Sequence, residues 1–307
     1  MKVVSVSNIK KTYKEVNALN GVSFEVDKGE IFGIIGPDGA GKTSLFRILT
    51  TLLLADSGTA TVDGNDVVKE YKKIRQKVGY MPGRFSLYQD LTVEENLKIF
   101  ATLFGTSIEE NYHLVEAIYS QIEPFKNRKA GALSGGMKQK LALSCALIHE
   151  PVVLFLDEPT TGVDPVSRKE LWDVLKELKH HGVTILVSTP YMDEANLCDR
   201  IALIQDGSFM KIDTPGQIIN DYDQILWSVK SKEMFRLLKD LREHEYVLSS
   251  YAFGDVHHIT IDPSAIVLKT PFRESDLERY LKDKNHEEVS ILPIRASIED
   301  CFMQLIA

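Results

Sequence analysis

The stretch IFGIIGPDGAGKT, Ile31 to Thr43, decides the fold. Its first five residues form a continuous apolar run of the kind that is buried on both faces of a sheet. The eight that follow match the spacing of a phosphate-binding loop placed between a strand and a helix N-terminus. Gly36, Gly39 and Gly41, with Pro37, Asp38 and Ala40 between them, let the backbone turn so that several N–H groups converge on an anion. The predicted helix adds its dipole, with Ser44 in its opening turn. Lys42 is placed to reach terminal phosphates, and the Thr43 hydroxyl to bind a magnesium ion. The helical run is expected to extend from Thr43 to Leu53.

A phosphate loop needs a partner carboxylate, and VVLFLDEPTTGVD (Val152 to Asp164) supplies one. An apolar strand ending at Asp157 sets a carboxylate at the strand's C-terminal edge, where it can hold magnesium through water. Glu158, one residue on, is the candidate general base that orients and polarises an attacking water. Between the two halves lies LSGGMKQK (Leu133 to Lys140), where Ser134, Gly135 and Gly136 open a helix and offer a second cradle of N–H groups. Two anion cradles are more than one nucleotide needs within one chain.

The remaining sequence bounds the setting. With 307 residues and 44% hydrophobic content the chain can bury a sizeable core. A net charge of −8 gives no pull toward nucleic acid, and none is expected as a partner. Cys145, Cys198 and Cys301 are far apart and suggest neither a disulfide framework nor a zinc site. The apolar runs fall short of the roughly 20 residues that span a bilayer, so work at a membrane requires another chain to cross it. Strands at Val3–Ile9, Val22–Val26, Thr184–Ser188 and Ile201–Ile204 alternate with helices, among them Leu91–Phe104 with a capping box at Thr92 and Glu95, and Arg168–His181. This predicts an α/β fold with a mainly parallel sheet covered on both faces. Residues 221–307 change texture and read as strand, helix, hairpin, helix, strand, helix, a small α+β domain. His257 and His258 are adjacent in a predicted strand and point to opposite faces, which argues against a shared metal.

These motifs in this order resemble the ATP-binding cassette (ABC) ATPases, the nucleotide-binding subunits of ABC transporters, over residues 1–220. The resemblance implies a P-loop NTPase domain with a helical subdomain at about 83–150, followed by an accessory domain at 221–307 similar to that of some exporter-type members. It implies ATP and Mg2+ as ligands, with ATP held between the phosphate loop of one subunit and the Ser134–Gly136 turn of another, which accounts for both cradles. It further implies that Tyr13 stacks on adenine, that Asp164 contacts the opposite subunit, and that residues Gly83–Tyr88 face a membrane permease. The subunit is then expected in the cytoplasm, peripheral on the inner face of the cell membrane, driving a permease that exports.

Two positions depart from the family pattern. Gly83 in GYMPGRFSLY stands where the family has a Gln that approaches magnesium, and Pro190 in VSTPYMDEA stands where it has a His that donates to the γ-phosphate. Thr189 and Pro190 are expected to serve as N-cap and first residue of a helix instead. Losing a donor aimed at transition-state charge costs about 3 kcal/mol. The expected consequence is a slow ATP site of its own, an intact Ser134–Gly136 turn, and pairing with a sensor-complete second cassette subunit. The rivals are a homodimer that tolerates both changes, a soluble cassette ATPase without a transport role, and an ATP-gated switch with little hydrolysis.

Overall fold

Alternating apolar residues open the chain as a long hairpin, β1 (Lys2–Tyr13) and β2 (Val16–Asp27), burying Val4, Val6 and Ile9 against Val22, Phe24 and Val26. The computed structural model describes residues 1–266 and 271–306. The wholly buried β3 (Ile31–Ile35) leads through the glycine-rich loop into α1 (Lys42–Leu49). Then come β4 (Ser57–Val62), β5 (Asn65–Asp66), α2 (Tyr71–Lys77) and β6 (Val78–Met81). Three helices follow, α3 (Val93–Leu103), α4 (Ile108–Tyr119) and α5 (Gly135–Leu147). Thr92 and Glu95 cap α3 reciprocally, at 3.2 and 2.7 Å, so two orphan N–H groups at its start are satisfied. The chain continues with β7 (Val153–Asp157), α6 (Pro165–His180), β8 (Thr184–Thr189), β9 (Arg200–Gln205) and β10 (Ser208–Asp213).

Two sheets result. The order β10-β9-β3-β8-β7-β6 is parallel except for the antiparallel pair β9–β10 at one edge. The second sheet, β2-β1-β4-β5, is antiparallel, and its inward residues pack with Phe32, Phe46 and Phe155 in one core. The apolar pattern predicts strands in this region but not that they form a sheet of their own. Both hairpin strands also run several residues beyond the apolar cores that mark them. Because β3, β7 and β8 are adjacent, Asp157 pairs with Ser188 and Ile35 with Thr189, which lines up three C-terminal strand ends.

The chain divides into two compact units between Pro215 and Gly216, within α7 (Pro215–Asn220). The second unit contains β11 (Ile225–Lys230), α8 (Met234–Arg242), β12 (Val247–Phe253), β13 (Val256–Ile261), α9 (Pro263–Ile266), α10 (Glu274–Asp283), β14 (Ser290–Pro293) and α11 (Ile298–Ile306). Its antiparallel sheet, ordered β12-β13-β11-β14, buries Trp227, Val229, Ile259 and Ile261 with Leu237, Leu241, Leu277 and Leu281. Among the described residues no helix is long and apolar enough to cross a membrane.

Two local expectations are corrected. The first helix ends at Leu49, not Leu53: Thr51 lies at φ +64°, and the Arg47 carbonyl accepts from both Leu52 N and Leu53 N, closing the turn. Pro190 is not a first helical residue, because Thr189 still belongs to β8 and the 3₁₀ turn begins only at Met192. The Thr189 hydroxyl accepts from Tyr191 N at 3.1 Å, a local turn rather than a helix cap. What holds the turn is Arg168, which donates to Asp193 at 2.8 Å and to buried Glu194 at 2.6 Å, and whose guanidinium lies 4.5 Å from the centre of the Tyr191 ring.

Candidate functional site

The loop between β3 and α1 leaves the first turn of the helix without a side-chain cap. Gly36 N donates to Thr189 O and Ala40 N to Pro37 O. The opening amides of α1 form an uncapped helix N-terminus that favours negative charge. Gly41 is the residue that makes the turn possible: its φ is +104°, and a Cβ there would lie 2.2 Å from Ala18 O. Lys42 is 3% exposed, and its ammonium folds back to donate to Gly36 O at 2.8 Å and Pro37 O at 2.9 Å. It also lies 3.2 Å from Glu158 Oε1.

Glu158 follows β7 in the left-handed region, φ +52°, which costs a non-glycine residue about 1–3 kcal/mol. The surrounding bonds hold it there: Glu158 N donates to Ser188 O at 3.0 Å and approaches Ser188 Oγ at 3.1 Å, and Thr161 Oγ1 donates to Glu158 Oε2 at 3.4 Å. Asp157, 2% exposed, accepts from Ser188 Oγ at 2.6 Å on Oδ1. A carboxylate at the C-terminal end of β7, with its second oxygen, Oδ2, not engaged by Ser188, suits a hard divalent cation.

Gly83 belongs to this cluster. A Cβ on it would stand 3.0 Å from Asp157 O and 3.7 Å from Glu158 Cβ, so any side chain at position 83 would emerge against the two carboxylate residues. Pro190 follows Thr189, the strand end whose carbonyl is bonded to Gly36, and so lies beside the phosphate loop as well. Tyr13 is 42% exposed at the end of β1, its hydroxyl 3.4 Å from Ser44 Oγ and its ring 5.6 Å from the Lys11 ammonium. The structure thus brings Tyr13, the 36–44 loop, Gly83, Asp157, Glu158 and the end of β8 together.

Ser134, Gly135, Gly136 and Asp164 form a second cluster. Ser134 caps α5 by accepting from Met137 N at 3.3 Å, and Asp164 caps α6 by accepting from Val166 N and Ser167 N at 3.1 and 3.0 Å. The bonds from Ser167, followed by that from Val166, hold the Asp164 carboxyl below the usual carboxylate range. A Cβ on Gly136 would lie 2.6 Å from Ser167 Oγ, so the two caps pack closely. Sequence reasoning missed Ser188, whose one signal is a small polar residue in an apolar strand register. It also missed the Arg168–Glu194–Trp172 clamp, in which Trp172 Nε1 donates to Glu194 Oε1 at 3.0 Å.

Comparison with known proteins gives the family. The family described as ABC transporter matches residues 19–161. A probable multidrug ABC transporter ATP-binding protein of Escherichia coli (strain K12) is 43% identical over 212 residues, which cover 68% of this chain but only 37% of that protein. A Nod factor export ATP-binding protein I of Burkholderia lata is 40% identical over 219 residues, covering 70% of this chain and 72% of that one. Among solved structures, an ATP-binding subunit of an ABC transporter superposes with a TM-score of 0.65 at 28% identity, over 71% of this chain and 92% of that one. A dimeric ATP-binding cassette in a post-hydrolysis state with ADP and Pi gives 0.63 at 29% identity, over 69% and 98% of the two chains. The chain belongs to the ABC transporter family, as one of its ATP-binding cassettes.

Proposed function

We propose that this protein binds and hydrolyses MgATP and so drives a separate membrane permease, in the export direction. The observation that carries the reading is the convergence of buried Lys42, buried Asp157 and strained Glu158 on one uncapped helix N-terminus. Lys42 and the opening amides of α1 bind the phosphates, and Tyr13 carries the adenine. Thr43 and Asp157 would hold magnesium, which when bound neutralises charge on the phosphate oxygens. Glu158 accepts a proton from the attacking water while its own backbone is fixed by Ser188. Ser134, Gly135 and Gly136 supply the second anion cradle to a facing cassette, with Asp164 at that contact.

Export is supported by relatives whose names state multidrug transport and Nod factor export. A groove of ≈510 Å³, lined by Arg47, Met81, Pro82, Leu87, Phe100 and Phe104, would offer the permease a seat beside the segment that carries Gly83. The protein then works in the cytoplasm at the inner face of the membrane. Gly83 and Pro190 favour a slow site of its own and a sensor-complete second cassette as partner; the same two residues are what favours an ATP-gated switch as the second reading. Equilibrium binding and turnover on the purified protein test the ATPase reading. MgATP should bind the parent and Glu158→Gln alike, Lys42→Ala should lose binding, and Glu158→Gln should lose whatever hydrolysis the parent has. Turnover in Glu158→Gln equal to the parent's would contradict the assignment.

A further inference from the structure

The C-terminal unit carries a cavity of ≈130 Å³ that the ATPase reading does not use. It opens on the sheet face opposite Trp227 and Ile259, where Leu226 pairs with Thr260 and Tyr251 with His258, and Met303 of α11 lines it from the other side. The two adjacent histidines divide as strand alternation requires. His257 donates from Nε2 to Met234 O at 2.7 Å, at the start of α8, whereas His258 donates from Nδ1 to Asp300 Oδ1 at 2.8 Å, on α11.

The imidazole of His258 is oriented from several directions. Asp300 is itself fixed by Ser297, whose N and Oγ both donate to Oδ2, at 2.8 and 2.7 Å. Burial pushes the Asp300 carboxyl up, but the bonds from His258 and Ser297 outweigh it and hold it below the usual range. Phe253 stacks on the His258 ring at 4.0 Å and 10°. A structural role as a staple between sheet and terminal helix explains Nδ1, and Nε2 is left over. It has no hydrogen-bond partner among the described residues, and the side chain keeps 14% exposure beside the cavity. With Nδ1 donating, Nε2 of the neutral ring is an acceptor that asks for a donor.

The rest of the lining limits what could supply it. It includes the carboxylate of Asp300 and no Lys or Arg, so an anion is disfavoured. Ser249 and Thr260 are 2.7 Å apart and satisfy one another, while Leu226, Tyr251 and Met303 offer flat apolar surface. An apolar cavity of about 150 Å³ accepts benzene. We propose that this cavity binds a single-ring organic molecule bearing a hydroxyl or amine N–H donor, its ring against Leu226, Tyr251 and Met303 and its donor on His258 Nε2.

The test is saturation-transfer NMR with calorimetric titration on the full chain at pH 8, using phenol and tyramine as probes and toluene as the donorless control. Phenol or tyramine should bind at millimolar concentration, with toluene at least about tenfold weaker. His258→Phe should weaken binding at least about tenfold. Leu248 lines the cavity yet is 58% exposed, so Leu248→Trp should do the same by crowding the mouth, even if His258→Phe disturbs folding. No saturation by either probe, equal binding of toluene, or affinity unchanged in Leu248→Trp would each overturn the proposal.

Discussion

Gly41→Ala isolates the geometry on which the phosphate loop depends. Gly41 sits at φ +104°, ψ −2°, outside the left-handed well that alanine tolerates, which alone costs about 1–3 kcal/mol. Its Cβ would also stand 2.2 Å from Ala18 O, a backbone atom that cannot swing away, so the loop or the β2 strand must shift by about 1 Å. Overpacking of that kind adds about 1–3 kcal/mol. Gly39→Ala is the matched control, since φ is +83° there but nothing lies within 4 Å of the added carbon. Both positions carry a positive φ, and only at Gly41 does the added carbon also clash. For a unit of this size about 1 kcal/mol corresponds to 2–4 °C, so Gly41→Ala should melt about 4–24 °C below the parent and clearly below Gly39→Ala. Calorimetric melting of the three proteins decides it. Equal midpoints for the two variants would mean that the loop does not press on Ala18 as described.

Other outcomes follow from single contacts. Ser188→Ala removes the donor to buried Asp157, so unfolding free energy should fall by about 1–3 kcal/mol and the magnesium requirement for ATP binding should rise; urea titration and a magnesium series check both. Arg168→Met leaves the charge of Glu194, which is 1% exposed, without its cation and should cost about 3–5 kcal/mol, part of it recovered in Arg168→Met/Glu194→Gln, which removes the charge but keeps an acceptor for Trp172 Nε1. A double variant no more stable than the single one would count against that clamp. Burial lowers the affinity of His149 for a proton, while its bond to Val78 O opposes this only in part. The folded pKa lies below the unfolded value near 6.5, so the contribution of the neutral ring is complete above that pH and is lost as pH falls. His149→Gln should therefore lose stability less steeply than the parent between about pH 7 and pH 5.5 in denaturant titrations.

The residues that announce this fold are those whose neighbours in sequence are also their neighbours in space. IFGII followed by GPDGAGKT predicts a buried strand, a turn and a helix N-terminus because all three are local consequences of apolarity and glycine. VVLFLDE likewise delivers Asp157 and Glu158 to a strand edge. Pairing across distance is what sequence does not show. Nothing local says that Ser188 reaches both Asp157 and Glu158, or that Asp56 ties down Lys11 and Thr12 beside Tyr13. Pro190 misleads for the same reason. Thr-Pro-x-x-x-Glu looks like a helix start by itself, but parallel pairing with β3 keeps Thr189 extended, and Arg168 from a helix elsewhere in the sequence holds Asp193 and Glu194. The His258–Asp300 pair joins residues 42 positions apart and has no motif to betray it.

Gly83 and Pro190 are proposed to leave a nucleotide site that binds ATP but turns it over slowly. Steady-state ATPase activity of the parent, Gly83→Gln, Pro190→His and the double variant, with Glu158→Gln as blank, measures it most directly. Position 83 can carry the longer side chain if Asp157 O gives by a few tenths of an ångström, since the Cβ contact there is 3.0 Å. A slow parent is expected, with a gain of about 10²-fold or more in the double variant. A parent that already turns over at about 1 per second or faster, with nothing added by either substitution, would contradict it.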